Sequence, residues 1–153
     1  MNINTPQSLK VEHEELHAEL AKAKKAGGAT GEAAQMVAKV LYPHFLKEEE
    51  YALPPLGLLP VLAENKISPD MKAVVDMTNR LKADLNHMLL EHKQIVGTLK
   101  NLTEAARVEG KDEFIHFADN LILHAQTEEE VLYPASILVG EYLKLKIIVD
   151  RNT

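Results

Sequence analysis

Apolar residues recur at alternating three- and four-residue spacings along most of this chain, and four stretches carry that helical signature. Leu9, His13, Leu16, Leu20 and Ala23 form one stripe, and Val37, Val40 or Leu41, His44, Glu48 and Tyr51 a second. Val74, Met77, Leu81, Leu85, Met88, His92, Ile95, Leu99 and Leu102 form the third, and Phe114, Phe117, Leu121, His124, Glu128 and Val131 the fourth. Local signals set the ends. Thr5-Pro6 reads as an N-cap with proline at the first helical position, and AGGATG stops the first helix near Lys25. The second runs from about Gly31 to Leu53, where Pro54-Pro55 ends it, and Pro43 is expected to bend it. Ser68-Pro69-Asp70 opens a long third helix to about Val108; after the turn VEGK, Asp112 caps a fourth that ends near Pro134. PPLGLLPVLAENKIS reads as an unusually apolar loop. The fold class this predicts is all-α. It is an up-down-up-down four-helix bundle over about residues 6–135 with a short C-terminal extension over about 136–150, within one domain of residues 1–153. The extension, SILVGEYLKLKIIV, reads as a fifth helix, with an extended KIIV as the alternative. Its Ile137, Leu138, Tyr142, Leu143, Ile147 and Ile148 are expected to cover the bundle flank, or else to form a homodimer contact.

Two phrases interrupt the apolar pattern in the same way. HFLKEEEYALPPL begins at His44 and HAQTEEEVLYPAS at His124, 80 residues later, each with three glutamates and a proline ten residues after the His. Upstream, VEHEEL contains His13 and LEHKQI contains His92, 79 residues apart, and Leu20 and Leu99 follow them at the same distance. Two matches with nearly one offset describe a tandem pair of helical hairpins, each with Glu-His on its first helix and HxxxE on its second. AGGATG lies midway between His13 and His44, and VEGK midway between His92 and His124, so each hairpin sets its two histidines at one height. Within HxxxE the two side chains differ by about 40° and about 6 Å along the helix, and both face one centre. Packing the hairpins together converges His13, His44, Glu48, His92, His124 and Glu128 inside the bundle.

Buried carboxylates demand compensation, and no Lys or Arg lies on these stripes. Two cations would answer both carboxylates and bind the neutral imidazoles. The chain has no cysteine, which excludes disulfides, thiolate ligands and Cys nucleophiles. A mixed His and carboxylate set suits iron or manganese, with zinc as a further candidate. The alternative is a metal-free core of His–Glu hydrogen bonds. Glu14-x-x-His17 and Glu113-x-x-His116 match the ExxH spacing of ferritin-like di-iron oxidases, but their histidines lie off the stripes. His17 is read as a flanking polar residue, with a role at the site as the alternative; His87 and His116 are read as solvent-facing. Glu49, Glu50, Glu129 and Glu130 read as an acidic face, one of each pair being a candidate partner for a ligating imidazole, and Tyr51 as a core tyrosine or a partner for Glu48.

Composition narrows the class further. The net charge is −6 and no basic stripe is present, which argues against nucleic acid. PPLGLLPVLA, the longest apolar run, is too short and too rich in proline to cross a membrane. No basic-then-apolar leader opens the chain, so a cytoplasmic location is expected.

The motifs EHEEL with His13, HFLKEE with His44 and Glu48, LLEHKQI with His92, and HAQTEEEVLYPA with His124 and Glu128 resemble the hemerythrin-like family, the HHE cation-binding domain. The resemblance covers about residues 6–135. It implies a non-haem di-iron centre, two iron ions bridged by Glu48, Glu128 and an oxo or hydroxo group. By the family pattern His13 and His44 would hold one iron and His92 and His124 the other. The chain departs from the oxygen carriers, which place two histidines one turn apart on the third helix; here those neighbours of His92 are Met88 and Val96. Its Glu128 also follows His124 by four residues, closer than the carriers' Asp. The ligand set is similar to that of di-iron proteins of iron–sulfur repair and nitric oxide stress, whose cysteine-containing segment this chain lacks. The expected role is a binding protein more than an enzyme: a carrier or sensor of O₂ or NO. The alternatives are an oxidative or nitrosative stress protein, a peroxidase-like scavenger or a ferritin-like oxidase.

Overall fold

Helix α1 (Gln7–Lys25) and helix α2 (Gly28–Lys47) form the first hairpin. A π-helical turn (Glu48–Ala52) and a 3-10 turn (Pro54–Leu58) follow, then the short α3 (Leu59–Ala63). After a second 3-10 turn (Pro69–Met71), α4 (Lys72–Glu109) and α5 (Asp112–Thr127) form the second hairpin. Another π-helical turn (Glu128–Leu132) leads into α6 (Tyr133–Arg151). This computed structural model describes residues 3–151, with side chains through residue 147; Ile148, expected on the tail's apolar face, lies outside the described side chains. No strand occurs among the described residues, and the architecture is the all-α four-helix bundle.

Three differences from the sequence reading have physical causes. Helix α2 begins three residues early because its N-terminus is capped from the other hairpin. The Glu109 carboxylate accepts the Thr30 backbone N–H at 2.7 Å and the Thr30 hydroxyl at 2.5 Å, satisfying donors that no local side chain reaches. A side chain at Gly28 (φ 59°) would meet that carboxylate, which accounts for the glycine. The chain does not end its last bundle helix at Pro134. Proline tolerates the first turn of a new helical segment, so the C-terminal extension is helical, as expected, and α6 runs from Tyr133 for 19 residues with no extended KIIV. The loop after Pro54 is largely wound into short helical turns.

Helix α4, with 38 residues, is twice as long as α1 and outruns the bundle. Its first half is covered by α6 and the 54–71 segment: Met71, Val74, Leu58, Val139 and Leu143 pack together there. The bundle core proper gathers Leu16, Leu20, Leu41, Ile95, Leu99, Phe117 and Leu121. Between these lies a third cluster around Tyr51, Met88 and Tyr133. On α4, His92 stands between Met88 of that cluster and Ile95 of the bundle core, so the polar site has apolar packing on both sides.

The α6–α4 contact is close. A Cβ at Gly140 would lie 1.8 Å from the Thr78 hydroxyl oxygen. Gly140→Ala is therefore expected to cost about 1–3 kcal/mol through overpacking. Urea denaturation checks this; an unchanged midpoint would mean that α6 rides loosely on α4.

Candidate metal centre

Six side chains expected at one centre do converge. His13 comes from α1, His44 from the last turn of α2, His92 from α4 and His124 from α5, while Glu48 and Glu128 open the two π-helical turns. None is more than 6 % exposed. Donor atoms of His13, Glu48, His124 and Glu128 lie within 4.8 Å of one another, and so do those of His44, Glu48, His92 and Glu128. Each carboxylate offers one oxygen to each group. Glu48 Oε1 lies 2.7 Å from His44 Nε2 and Oε2 3.4 Å from His13 Nε2; Glu128 Oε1 lies 3.4 Å from His92 Nε2 and Oε2 3.3 Å from His124 Nε2.

The grouping corrects one expectation. The family pattern paired His13 with His44 and His92 with His124; the geometry groups His13 with His124 and His44 with His92, across the hairpins. Equal height in a hairpin says nothing about which way two rings turn. Phe45 stacks on His13 at 4.3 Å between ring centroids and occupies the side towards α2, while the His44 and His92 rings approach to 4.6 Å.

The outward nitrogens explain the rest of the repeated phrase. Glu129 meets His92 Nδ1 at 3.0 Å and Glu12 meets His124 Nδ1, while Glu49 and Glu91 stand 3.7 Å and 3.6 Å from His13 Nδ1 and His44 Nδ1. All four imidazoles thus have a carboxylate on the side away from the centre, and for His92 and His124 it is hydrogen-bonded to the ring, the arrangement that fixes ring orientation and raises donor strength. Glu50 and Glu130 are the solvated members, paired with Arg80 and Gln126. Glu129→Gln is expected to weaken cation affinity about 10–100-fold, and Glu130→Gln to leave it unchanged. Calorimetric metal titration of the two variants decides, and equal affinities would reject the assigned role of Glu129.

The remaining candidates fall elsewhere. His87 and His116 are exposed, as expected. His17 is half-buried against Tyr42 and Phe45 and belongs to neither group. Tyr51 is a core residue whose hydroxyl donates to Asp84 at 2.5 Å, not to Glu48. The tyrosine at the centre is Tyr133, whose hydroxyl sits 3.2 Å from His44 Nε2 and 3.1 Å from His92 Nε2. Counting by α-helical turns hid it, because residue i+5 lies about 140° round from residue i. The π-helical turn closes an i to i+5 hydrogen bond, from Tyr133 N–H to the Glu128 carbonyl, and so returns Tyr133 to the face of Glu128.

The hemerythrin HHE cation-binding domain model matches residues 4–136. The chain belongs to that family. No curated protein and no solved structure matches it. The family's cation binding fits the donor set here. His13 Nε2, His124 Nε2, Glu128 Oε2 and both Glu48 oxygens are buried without a hydrogen-bond partner. Even the 2.7 Å approach of His44 to Glu48 lacks the alignment of a hydrogen bond, as donors aimed at a shared point would. An imidazole and carboxylate set without thiolate suits first-row metals.

The electrostatics agree. Burial pushes the Glu128 carboxyl up, and the facing Glu48 charge holds it well above the usual carboxylate range. Burial acts on Glu48 too, but the Glu128 carboxyl, His13 and His44 pull it well below that range. Burial would lower His124, yet Glu128, Glu48 and Glu12 outweigh it and raise the imidazole to about 9. Without a cation, protons supply the missing positive charge.

Proposed function

We propose that His13, His44, Glu48, His92, His124 and Glu128 hold two iron ions, with Glu48 and Glu128 bridging. We further propose that the centre binds O₂ or NO, as a carrier or sensor. The observation that carries this reading is the division of each carboxylate, one oxygen towards each histidine pair. Two iron ions there would supply electrons and an exchangeable coordination position for a diatomic ligand. The protein's own contribution is positioning and exclusion. Leu16, Met88, Ile95 and Leu121, all buried, surround the site with apolar surface and keep out bulk water. A cavity of about 370 Å³ lined by Ile3, Thr5, Leu9, His17 and Glu49 opens beside His13. Apolar packing on the inner side leaves little to hold an organic substrate, which favours a diatomic.

The test starts with iron-loaded protein reduced without oxygen, into which O₂ or NO is admitted while the visible spectrum is recorded. A reversible band supports a carrier. Permanent oxidation after which the protein no longer responds to O₂ supports a sensor or stress role. Protein that takes up zinc and has no affinity for iron rejects the reading.

Cation uptake is also expected to depend on pH, with a defined sign. In the metal-free chain His124 keeps its proton up to about pH 9. A cation must expel that proton, so apparent affinity should fall up to about tenfold for each unit of pH below this value. Competition with a coloured chelator measures it, and a flat profile would remove His124 from the ligands.

A further inference from the structure

We propose that Tyr133 is a fifth protein ligand, through its phenolic oxygen, to the metal held by His44, His92, Glu48 and Glu128, and that the metal held by His13 and His124 is the one left open to small ligands. The assignment rests on the di-iron reading and adds to it the identity of the ligand-binding metal.

The argument is geometric. Two donors each about 2.1 Å from one cation and at right angles are about 3.0 Å apart. The Tyr133 oxygen lies 3.2 Å from His44 Nε2 and 3.1 Å from His92 Nε2, so it stands where a third donor beside these nitrogens belongs. Its ring is fully buried, so the hydroxyl has no water to turn to. Phenolate oxygen is an established iron ligand. On coordination the phenol gives up its proton to solvent and the oxygen takes the cation in its place.

The duplication shows the asymmetry. The residue 80 positions before Tyr133, the offset that relates His124 to His44, is Leu53. Leu53 N–H donates to the Glu48 carbonyl at 2.9 Å, just as Tyr133 N–H donates to that of Glu128, so the two positions match in backbone as well as in sequence. Leu53 is buried and carries no donor atom. One half of the repeat therefore closes its metal with an oxygen and the other does not.

The probe is ferric iron loaded into the full chain, with bound iron counted by metal analysis. A phenolate ligand transfers charge into the ferric d shell, so a broad visible band is expected, with tyrosine ring modes in its resonance Raman spectrum. Tyr133→Phe should lose the band while retaining two irons, and Tyr51→Phe should keep it. Should Tyr133→Phe fail to fold or to hold iron, the combined variant Tyr42→Phe, Tyr51→Phe, Tyr142→Phe decides, because Tyr133 is then the sole tyrosine in the chain. Survival of the phenolate modes there supports the assignment. Two irons bound without phenolate modes overturn it and leave the di-iron reading standing. A chain that takes up no iron overturns both.

Discussion

Chelation of the bound cations is expected to lower the unfolding midpoint by roughly 10 °C. A ligand at about 1,000 times its dissociation constant adds about 4 kcal/mol to the folded state, and in a chain of this size each kcal/mol moves the midpoint about 2–4 °C. The structure shows where that free energy acts. Two carboxylates with no Lys or Arg beside them share the centre of a dry bundle, and several of their oxygens and the facing ring nitrogens have no partner. Cations would answer all of these at once. Calorimetry of loaded protein, before and after chelation, measures the difference. If the metal is removed and the midpoint stays in place, the six groups are a self-sufficient polar core.

Replacing Glu128 with leucine should have opposite effects with and without metal. With metal present, loss of a shared bridging carboxylate is expected to weaken uptake by more than the roughly 100-fold that a lost outer carboxylate can cost. Without metal, the variant should be more stable than the parent by roughly 1–4 kcal/mol, as when buried ionic groups give way to apolar ones of similar volume. The sign follows from the shift. The folded-state pKa of Glu128 lies well above its unfolded value, so this carboxyl costs stability, and the cost grows as pH rises above about 4.3. The gain from Glu128→Leu should therefore be small in acid and largest near neutrality and above. Its neighbours each keep a partner: His124 keeps Glu12, His92 keeps Glu129, and Glu48 loses the Glu128 carboxyl but keeps His13 and His44. Glu48, held low by His13, His44 and Glu128, should behave differently: Glu48→Leu forfeits a favourable interaction in the metal-free chain. Urea midpoints in chelator across pH separate the two. A metal-free Glu128→Leu protein less stable than its parent at neutral pH would reject the argument.

What the sequence determined by itself was whatever depends on spacing along one helix and on the repeat. The 3.6-residue period placed four histidines and two glutamates on core stripes, and the 80-residue echo showed that two hairpins would bring them to one height. The family motifs follow from the same spacing. The tertiary structure decided what depends on rotation and on distant partners. Which histidine shares a group with which is set by ring direction, and Phe45 against His13 helps to set it. The roles of Glu12 and Glu91 were hidden because each faces a histidine on another helix, 112 residues away for Glu12 and His124. Glu109 caps a helix 79 residues distant, so no local motif announced it. Tyr133 was hidden for a different reason. A turn that closes at i+5 advances the chain onto a face that an i+4 count assigns elsewhere, and the sequence carries no sign that the backbone widens there. Spacing is a property of the chain, but the direction in which a side chain turns is settled by what already fills the space beside it.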